Sequence, residues 1–204
     1  MGLNGVYYDE VKYWNARKNP VSPDGRKEVV TWITHHLKGA ESILDFGPGI
    51  GGTFSAYHNA KQVNTVDIST LYYDQLCKEA KKYPFKLSTL LLSQPEDATH
   101  LPFETNSHDF AVTSQVILHM KPHYVNEVLI ELGRIAKEVA VITYMDPKFE
   151  YDTSNTSYPK DRYCFNYNIP KMCKDLKLIT RNVKFERRNV WLIYSKIERT
   201  GEIY

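Results

Sequence analysis

The sequence predicts an α/β fold built on a doubly wound, mostly parallel sheet with helices on both faces. Three observations carry that prediction. Short apolar runs alternate with longer helical patterns along most of the 204 residues, the order that builds a parallel sheet covered on both sides. The first run, Ile43-Leu44-Asp45-Phe46, breaks at once into Gly47-Pro48-Gly49-Ile50-Gly51-Gly52. That reads as a buried strand, a tight loop and the start of a helix. Polar groups then stand at or after successive strand ends, at Asp45, Asp67, Asp97 and Gln115. Ligands of such sheets bind beyond the carboxyl ends of the strands, where the strand order reverses.

Taken in order, Val6 to Lys18 predicts a leading helix with Tyr7, Tyr8, Val11 and Trp14 near one face. Asn19 to Pro23 is a loop. Ser22 as N-cap with Pro23 at the first helical position then opens a helix that runs to Lys38, before Gly39. Strand one is Ser42 to Phe46, followed by a helix from the glycine turn to about Asn59. Strand two is Gln62 to Asp67, and a helix from Ser69 to Tyr83 stops at Pro84. Strand three is Phe85 to Leu92 and strand four Asp109 to Ser114. A helix from Pro122 to Lys137 leads to strand five, Val139 to Tyr144. The C-terminal part reads helix, strand, strand over Pro170 to Leu176, Leu178 to Phe185 and Val190 to Ile197. The four-residue turn Glu186-Arg187-Arg188-Asn189 is short enough for a hairpin.

The glycine turn fits two ligand classes. Gly47, Gly49 and Gly52 match G-x-G-x-x-G, the dinucleotide fingerprint. Asp45, Gly47, Gly49 and Gly51 match D-x-G-x-G-x-G, and here the acid decides. Two places before the first glycine it would sit badly beside a pyrophosphate, whereas it suits a positively charged amino group on a nucleoside cofactor. Asp67 ends the second strand, with Ile68 next, about 20 residues further on, where a carboxylate holds a ribose diol in either class. Then come Pro95-Glu96-Asp97-Ala98-Thr99-His100-Leu101-Pro102-Phe103, His108-Asp109-Phe110-Ala111-Val112 and Ser114-Gln115-Val116-Ile117-Leu118-His119-Met120.

Together these segments resemble the class I S-adenosylmethionine-dependent methyltransferases, of the type 11/25-like kind, from about Ser42 to Ile197. The resemblance implies a Rossmann-like seven-stranded sheet with an antiparallel C-terminal hairpin strand. It implies S-adenosyl-L-methionine as cofactor and S-adenosyl-L-homocysteine as product. The cofactor residues it implies are Asp45, Gly47, Gly49, Gly51, Asp67, Ile68, Asp97, Ala98 and Gln115, with Asp97 on the adenine amino group and the Ala98 backbone against the ring. The chain departs from the family in having Ile135-Ala136-Lys137-Glu138 where a glycine turn commonly precedes strand five.

Composition bounds the rest. Apolar residues make up 42% and charged residues 25%, which suits one folded domain. Within it we expect an N-terminal helical cover at 1–40, a cofactor-binding core at 42–145, an acceptor-site insertion at 146–168 and a C-terminal helix and hairpin at 169–197. No apolar run approaches the ~20 residues of a membrane span, and the first residues have no signal-peptide core. A net charge of +2 argues against nucleic acid as partner. Cys77, Cys164 and Cys173 have no metal-ligand spacing, so they read as reduced thiols in a cytoplasmic monomer or homodimer that holds no metal.

The acceptor is read as a small molecule, methylated on O or N. RNA or protein acceptors are the second reading, on the basic C-terminal third, and a non-catalytic cofactor-binding scaffold is the third. Acceptor contacts are expected from Tyr144, Arg162, Tyr163 and Phe165, in and beside a long polar segment of the kind that is commonly functional. That segment stands equally as a solvated insertion. The N-terminal aromatics read either as a lid or as structural cover. His119 is the best-placed general base, or else a helix-start residue packed beside the cofactor.

Overall fold

The structure is a computed structural model, and it describes residues 9–17, 27–37, 39–143, 165, 167–185 and 188–194. Five parallel strands form the centre: β1 Ser42–Phe46, β2 Gln62–Asp67, β3 Lys86–Leu91, β4 His108–Ser114 and β5 Ala136–Thr143. β6 (Ile179–Phe185) and β7 (Arg188–Tyr194) extend the sheet, which runs β3-β2-β1-β4-β5-β7-β6. β7 lies antiparallel to both β5 and β6. The order reverses between β1 and β4, which makes their C-terminal ends the switch point.

Both faces of β1 are buried, so it reads as a nearly continuous apolar run. Leu44 and Phe46 pack with Ala111, Val139 and Val141 under α4 (Val125–Ile135), whose Val128, Leu129 and Leu132 are fully buried. Ile43 packs on the other face with Val63, Phe110, Val112 and Ile142. There Val29 and Ile33 of α2 (Lys27–His36), Phe54 and Tyr57 close the layer. Asp45 follows the alternation onto this second face.

Several helices are shorter than their sequence pattern. α1 spans Glu10–Ala16 because the Asp9 side chain caps it, accepting from the Lys12 amide at 2.9 Å. The helix expected to run to Asn59 is only a 3-10 turn, Phe54–Tyr57. Gly49 (φ 57°) and Gly51 (φ 80°) are left-handed, and too little chain remains before Gln62 for a full helix. α3 begins at Tyr73, not Ser69, because the Ser69 amide is held by Asp67 at 2.9 Å. α4 ends at Ile135 and β5 starts at the next residue. α5 is Ile169–Asp175, capped by Asn168. The predicted Ser22-Pro23 cap lies outside the described residues.

The far end of the sheet is stapled by Asp109. Its Oδ2 accepts from the Glu41 and Ser42 amides at 3.0 and 3.1 Å, and Lys137 pairs with Oδ1 at 2.6 Å. Burial alone would raise this carboxyl, but those donors outweigh it and hold it at about 2.

Candidate cofactor crevice and acceptor side

Each glycine of the loop is needed for a different reason. A Cβ on Gly47 (φ 73°) would stand 2.2 Å from Val116 Cγ2, and one on Gly51 would stand 2.8 Å from Phe54. Packing inside the protein therefore forbids side chains at both. Gly49 has no atom within 4 Å of its Cβ position. Its left-handed backbone faces open space, which is what a closely approaching ligand requires.

The Gly49 amide donates to Asp67 Oδ2 at 3.4 Å and the Ser69 amide to Oδ1 at 2.9 Å. Burial raises the Asp67 carboxyl above its usual range, against the lowering effect of these amides. An acid held in this way at the end of β2 can receive a pair of hydroxyls.

Asp45 has partners inside the protein as well as the cofactor role expected of it. It is 1% exposed, and its Oδ2 accepts from Thr53 Oγ1 at 2.6 Å and from the Tyr57 hydroxyl at 2.8 Å. It braces the glycine loop from beneath, on the face away from α4. Neither Thr53 nor Tyr57 was singled out in the sequence, although a polar residue beside each apolar turn position was the available signal.

Beyond β3 the Pro95–Thr99 turn carries Asp97. Its carboxylate accepts from the Gln94 amide at 3.1 Å and the Gln94 side chain at 3.0 Å, a capping box. Ala98 is buried in the core, and Ile68 is half-buried. Leu90, Leu92, Asp97, His100 and Pro102 help to line an open hollow of about 420 Å³ here.

The end of β4 is built differently. Gln115 is left-handed (φ 63°), rare for a residue with a side chain. Its amide N–H and its Nε2 both donate to the Ile142 carbonyl of β5, at 2.8 and 3.4 Å. Its Oε1 is buried and has no hydrogen-bond partner. His119 follows in the turn Ile117–His119, with its ring edge-to-face on Trp14 at 4.8 Å.

Trp14 brings in α1, which crosses the crevice. At one end Asn15 Oδ1 accepts from the Thr70 amide at 2.9 Å, and the Ser69 hydroxyl reaches the Trp14 carbonyl at 3.4 Å. At the other, the Tyr124 hydroxyl donates to Glu10 and Lys121 stands 3.3 Å from Glu10 Oε2. Glu10 is 3% exposed, and burial raises its carboxyl. A helix acid normally reads as solvated, so neither Glu10 nor Asn15 stands out in the sequence.

The chain before α5 meets the same turn. The Phe165 amide donates to the Leu118 carbonyl at 2.6 Å, and the Tyr167 hydroxyl donates to the Met120 carbonyl. The expected acceptor residues Tyr144, Arg162 and Tyr163 lie outside the described residues. The described residues contain no cluster of metal-binding side chains and no helix long and apolar enough to cross a membrane.

Residues 44–142, from the centre of β1 to β5, match the family described as "Methyltransferase domain". No curated protein matches the sequence. Among solved structures, the PH0226 protein of Pyrococcus horikoshii is 16% identical, with a TM-score of 0.67 over 90% of this chain and 95% of its own. An O-methyltransferase family protein of Burkholderia thailandensis is 12% identical, with a TM-score of 0.66 over 84% of this chain and 56% of its own. Thus the chain spans little more than half of the Burkholderia protein. Magnesium protoporphyrin IX methyltransferase of Synechocystis, solved with bound S-adenosylhomocysteine, is 15% identical, with a TM-score of 0.62 over 90% of this chain and 97% of its own. At such identities the likeness is one of fold. The family match covers residues 44–142, just under half of the chain, and makes this stretch similar to the methyltransferase domain of S-adenosylmethionine-dependent enzymes.

Proposed function

We propose that the chain transfers the methyl group of S-adenosylmethionine in line to an oxygen or nitrogen of a small molecule. One observation carries the reading. The open approach above Gly49 and the half-buried Asp67 carboxylate meet beside the switch point between β1 and β4. These residues fit the cofactor: Asp67 would hold its ribose hydroxyls, and Gly49 admits its amino-acid end. Gly47, Gly51 and Asp45 shape that loop. Ile68, Asp97 and Ala98 would enclose the adenine, and Gln115 marks where the cofactor side meets the acceptor side.

When bound, the cofactor supplies an electrophilic methyl on sulfur. The protein's part is to align the acceptor and to exclude water, which is proximity catalysis. α1 would serve as part of an N-terminal cover, with Trp14 as roof. His119 is proposed as the base that takes the acceptor's proton. Phe165 supports an acceptor wall in the segment 146–168, to which Tyr144, Arg162 and Tyr163 would add. Cys77 and Cys173 are free thiols, in keeping with a cytoplasmic protein acting as one domain, monomeric or dimeric.

Incubation with methyl-labelled S-adenosylmethionine and a metabolite pool tests the reading. Label is expected in small extractable products, and His119→Ala should lower the rate about 100-fold without changing cofactor affinity. Label found only in RNA or protein would overturn the small-molecule assignment.

A further inference from the structure

The connection from β3 to β4 has no α-helix to fix it on the sheet. Between Leu91 and His108 it carries only the Pro95–Thr99 turn, which presents Asp97. What holds this segment is α4. Glu131 is 5% exposed, and its Oε1 accepts from the Leu101 amide at 2.7 Å. Arg134, three residues on, donates through Nε and Nη2 to the two Glu131 oxygens, each at 2.7 Å. Its Nη2 also reaches the carbonyls of Leu101 at 3.3 Å and Phe103 at 2.8 Å, and its Nη1 reaches the Thr105 hydroxyl at 3.3 Å.

The pair therefore grips the main chain on both sides of Pro102. Burial alone would raise the Glu131 carboxyl, but the Arg134 guanidinium and the Leu101 amide outweigh it and hold it below its ordinary value. A buried ion pair is weak evidence of stability. Here its hydrogen bonds run to a loop, and the grip continues into the turn. Ala98 and Leu101 belong to one buried cluster with Val128, Leu129 and Leu132 of α4. The His100 amide donates to the Asp97 carbonyl at 3.2 Å. The half-buried Asp97 carboxylate, oriented by Gln94, stands beside the open hollow.

We infer that Glu131 and Arg134 are positioning residues for the cofactor's base: they hold residues 101–103, and through them the Asp97 turn, where Asp97 selects an amino-bearing purine. The inference rests on the methyltransferase reading and deepens it, since it adds to Asp97 the residues on which its selectivity depends. An ionised carboxylate only accepts hydrogen bonds. It takes a hydrogen from an exocyclic amino group and repels a carbonyl oxygen at the same place. Glu131 and Arg134 act through the loop and not on the cofactor itself.

The test compares S-adenosylhomocysteine with S-inosylhomocysteine, which carries a carbonyl in place of the amino group. Both are titrated calorimetrically into the full chain. Wild type is expected to prefer the adenine ligand at least about tenfold, the worth of one hydrogen bond to a charged group. The Glu131→Met, Arg134→Met double variant removes both charges together, so no buried ion is left unpaired and the fold is retained. In it the preference should fall to about twofold or less, through loss of S-adenosylhomocysteine affinity with S-inosylhomocysteine affinity nearly unchanged. Arg134→Lys keeps the charge but loses the planar fork, and carries the same expectation should the double variant fail to fold. A pair that served stability alone would lower the melting temperature and both affinities together, leaving their ratio as in wild type. That result in a folded variant, or a wild type without preference for adenine, would overturn the proposal. Failure of wild type to bind either ligand would instead remove the methyltransferase reading beneath it, and the wild-type titration shows that before any variant is made.

Discussion

The two halves of the crevice are built on opposite terms. On the β1–β3 side every polar group that matters has a partner inside the protein. Asp45 is held by Thr53 and Tyr57, Asp67 by the Gly49 and Ser69 amides, and Asp97 by Gln94. On the β4–β5 side Gln115 Oε1, Thr113 Oγ1 and Thr143 Oγ1 are buried with no hydrogen-bond partner among the described residues. The first half is preorganised, as suits a cofactor that is the same in every turnover. The second keeps polar atoms that the described residues do not satisfy, in line with the proposal that the acceptor lies on that side. Electrostatic and hydrogen-bond preorganisation lowers the cost of binding, so the lesson is where each half should fail when mutated.

The largest effect is expected at Asp45. Asp45→Ala would leave two buried hydroxyls without an acceptor, and unfolding free energy should fall by about 3 kcal/mol. Urea denaturation measures it. Undiminished stability, with only ligand affinity reduced, would show that Asp45 serves the ligand and not the loop.

The glycines divide the comparison more finely. Gly47→Ala meets Val116 and should destabilise by about 2 kcal/mol through clash and backbone strain. Gly49→Ala meets nothing and should cost only about 1 kcal/mol of stability. It should nevertheless weaken S-adenosylhomocysteine binding more than any other loop alanine. Equal effects of the two variants on stability and binding would erase the distinction.

Asp67 trades stability for binding. Burial raises its folded carboxyl, so at neutral pH the ionised form opposes folding of the ligand-free protein. Asp67→Asn should therefore raise the ligand-free melting temperature slightly while lowering cofactor affinity. Ribose hydroxyls need the ionised carboxylate, so wild-type affinity should be full at neutral pH and fall on acidification through that raised value. An affinity that is flat down to the ordinary aspartate range would contradict this.

The smallest effect is far from the crevice. The Asp109 carboxyl is depressed to about 2, so its contribution to stability is present above the ordinary aspartate value and lost as pH falls through 2. Asp109→Asn should flatten acid unfolding in that window and leave cofactor binding untouched. Calorimetric binding curves that shift with this variant would show the two ends of the sheet to be coupled.

The sheet's centre was legible in the sequence because each of its strands is short, apolar and bounded. Ser42–Phe46 and Gln62–Asp67 match residue for residue. Helix ends were less so, because tertiary hydrogen bonds set them, as Asp67 does at Ser69 and Asp9 at Lys12. The left-handed glycines of the loop after β1 were legible as ligand-facing, yet of Gly47, Gly49 and Gly51 only Gly49 faces open space. Val116, which lies far away in sequence, explains Gly47. Glu10 and Asn15 carry no local signal at all. Their contacts with Tyr124 and Thr70 follow from a helix folding back across strand ends, and no periodicity encodes that contact.

Calorimetric titration of S-adenosylhomocysteine into wild type and Asp67→Ala tests the central claim most directly, that the cofactor lies between Gly49 and Asp67. Wild type should bind, and the folded variant should bind more weakly by about 2–4 kcal/mol, the worth of charge-assisted hydrogen bonds to two hydroxyls. Equal affinity in both proteins, or no binding by wild type, would contradict the account.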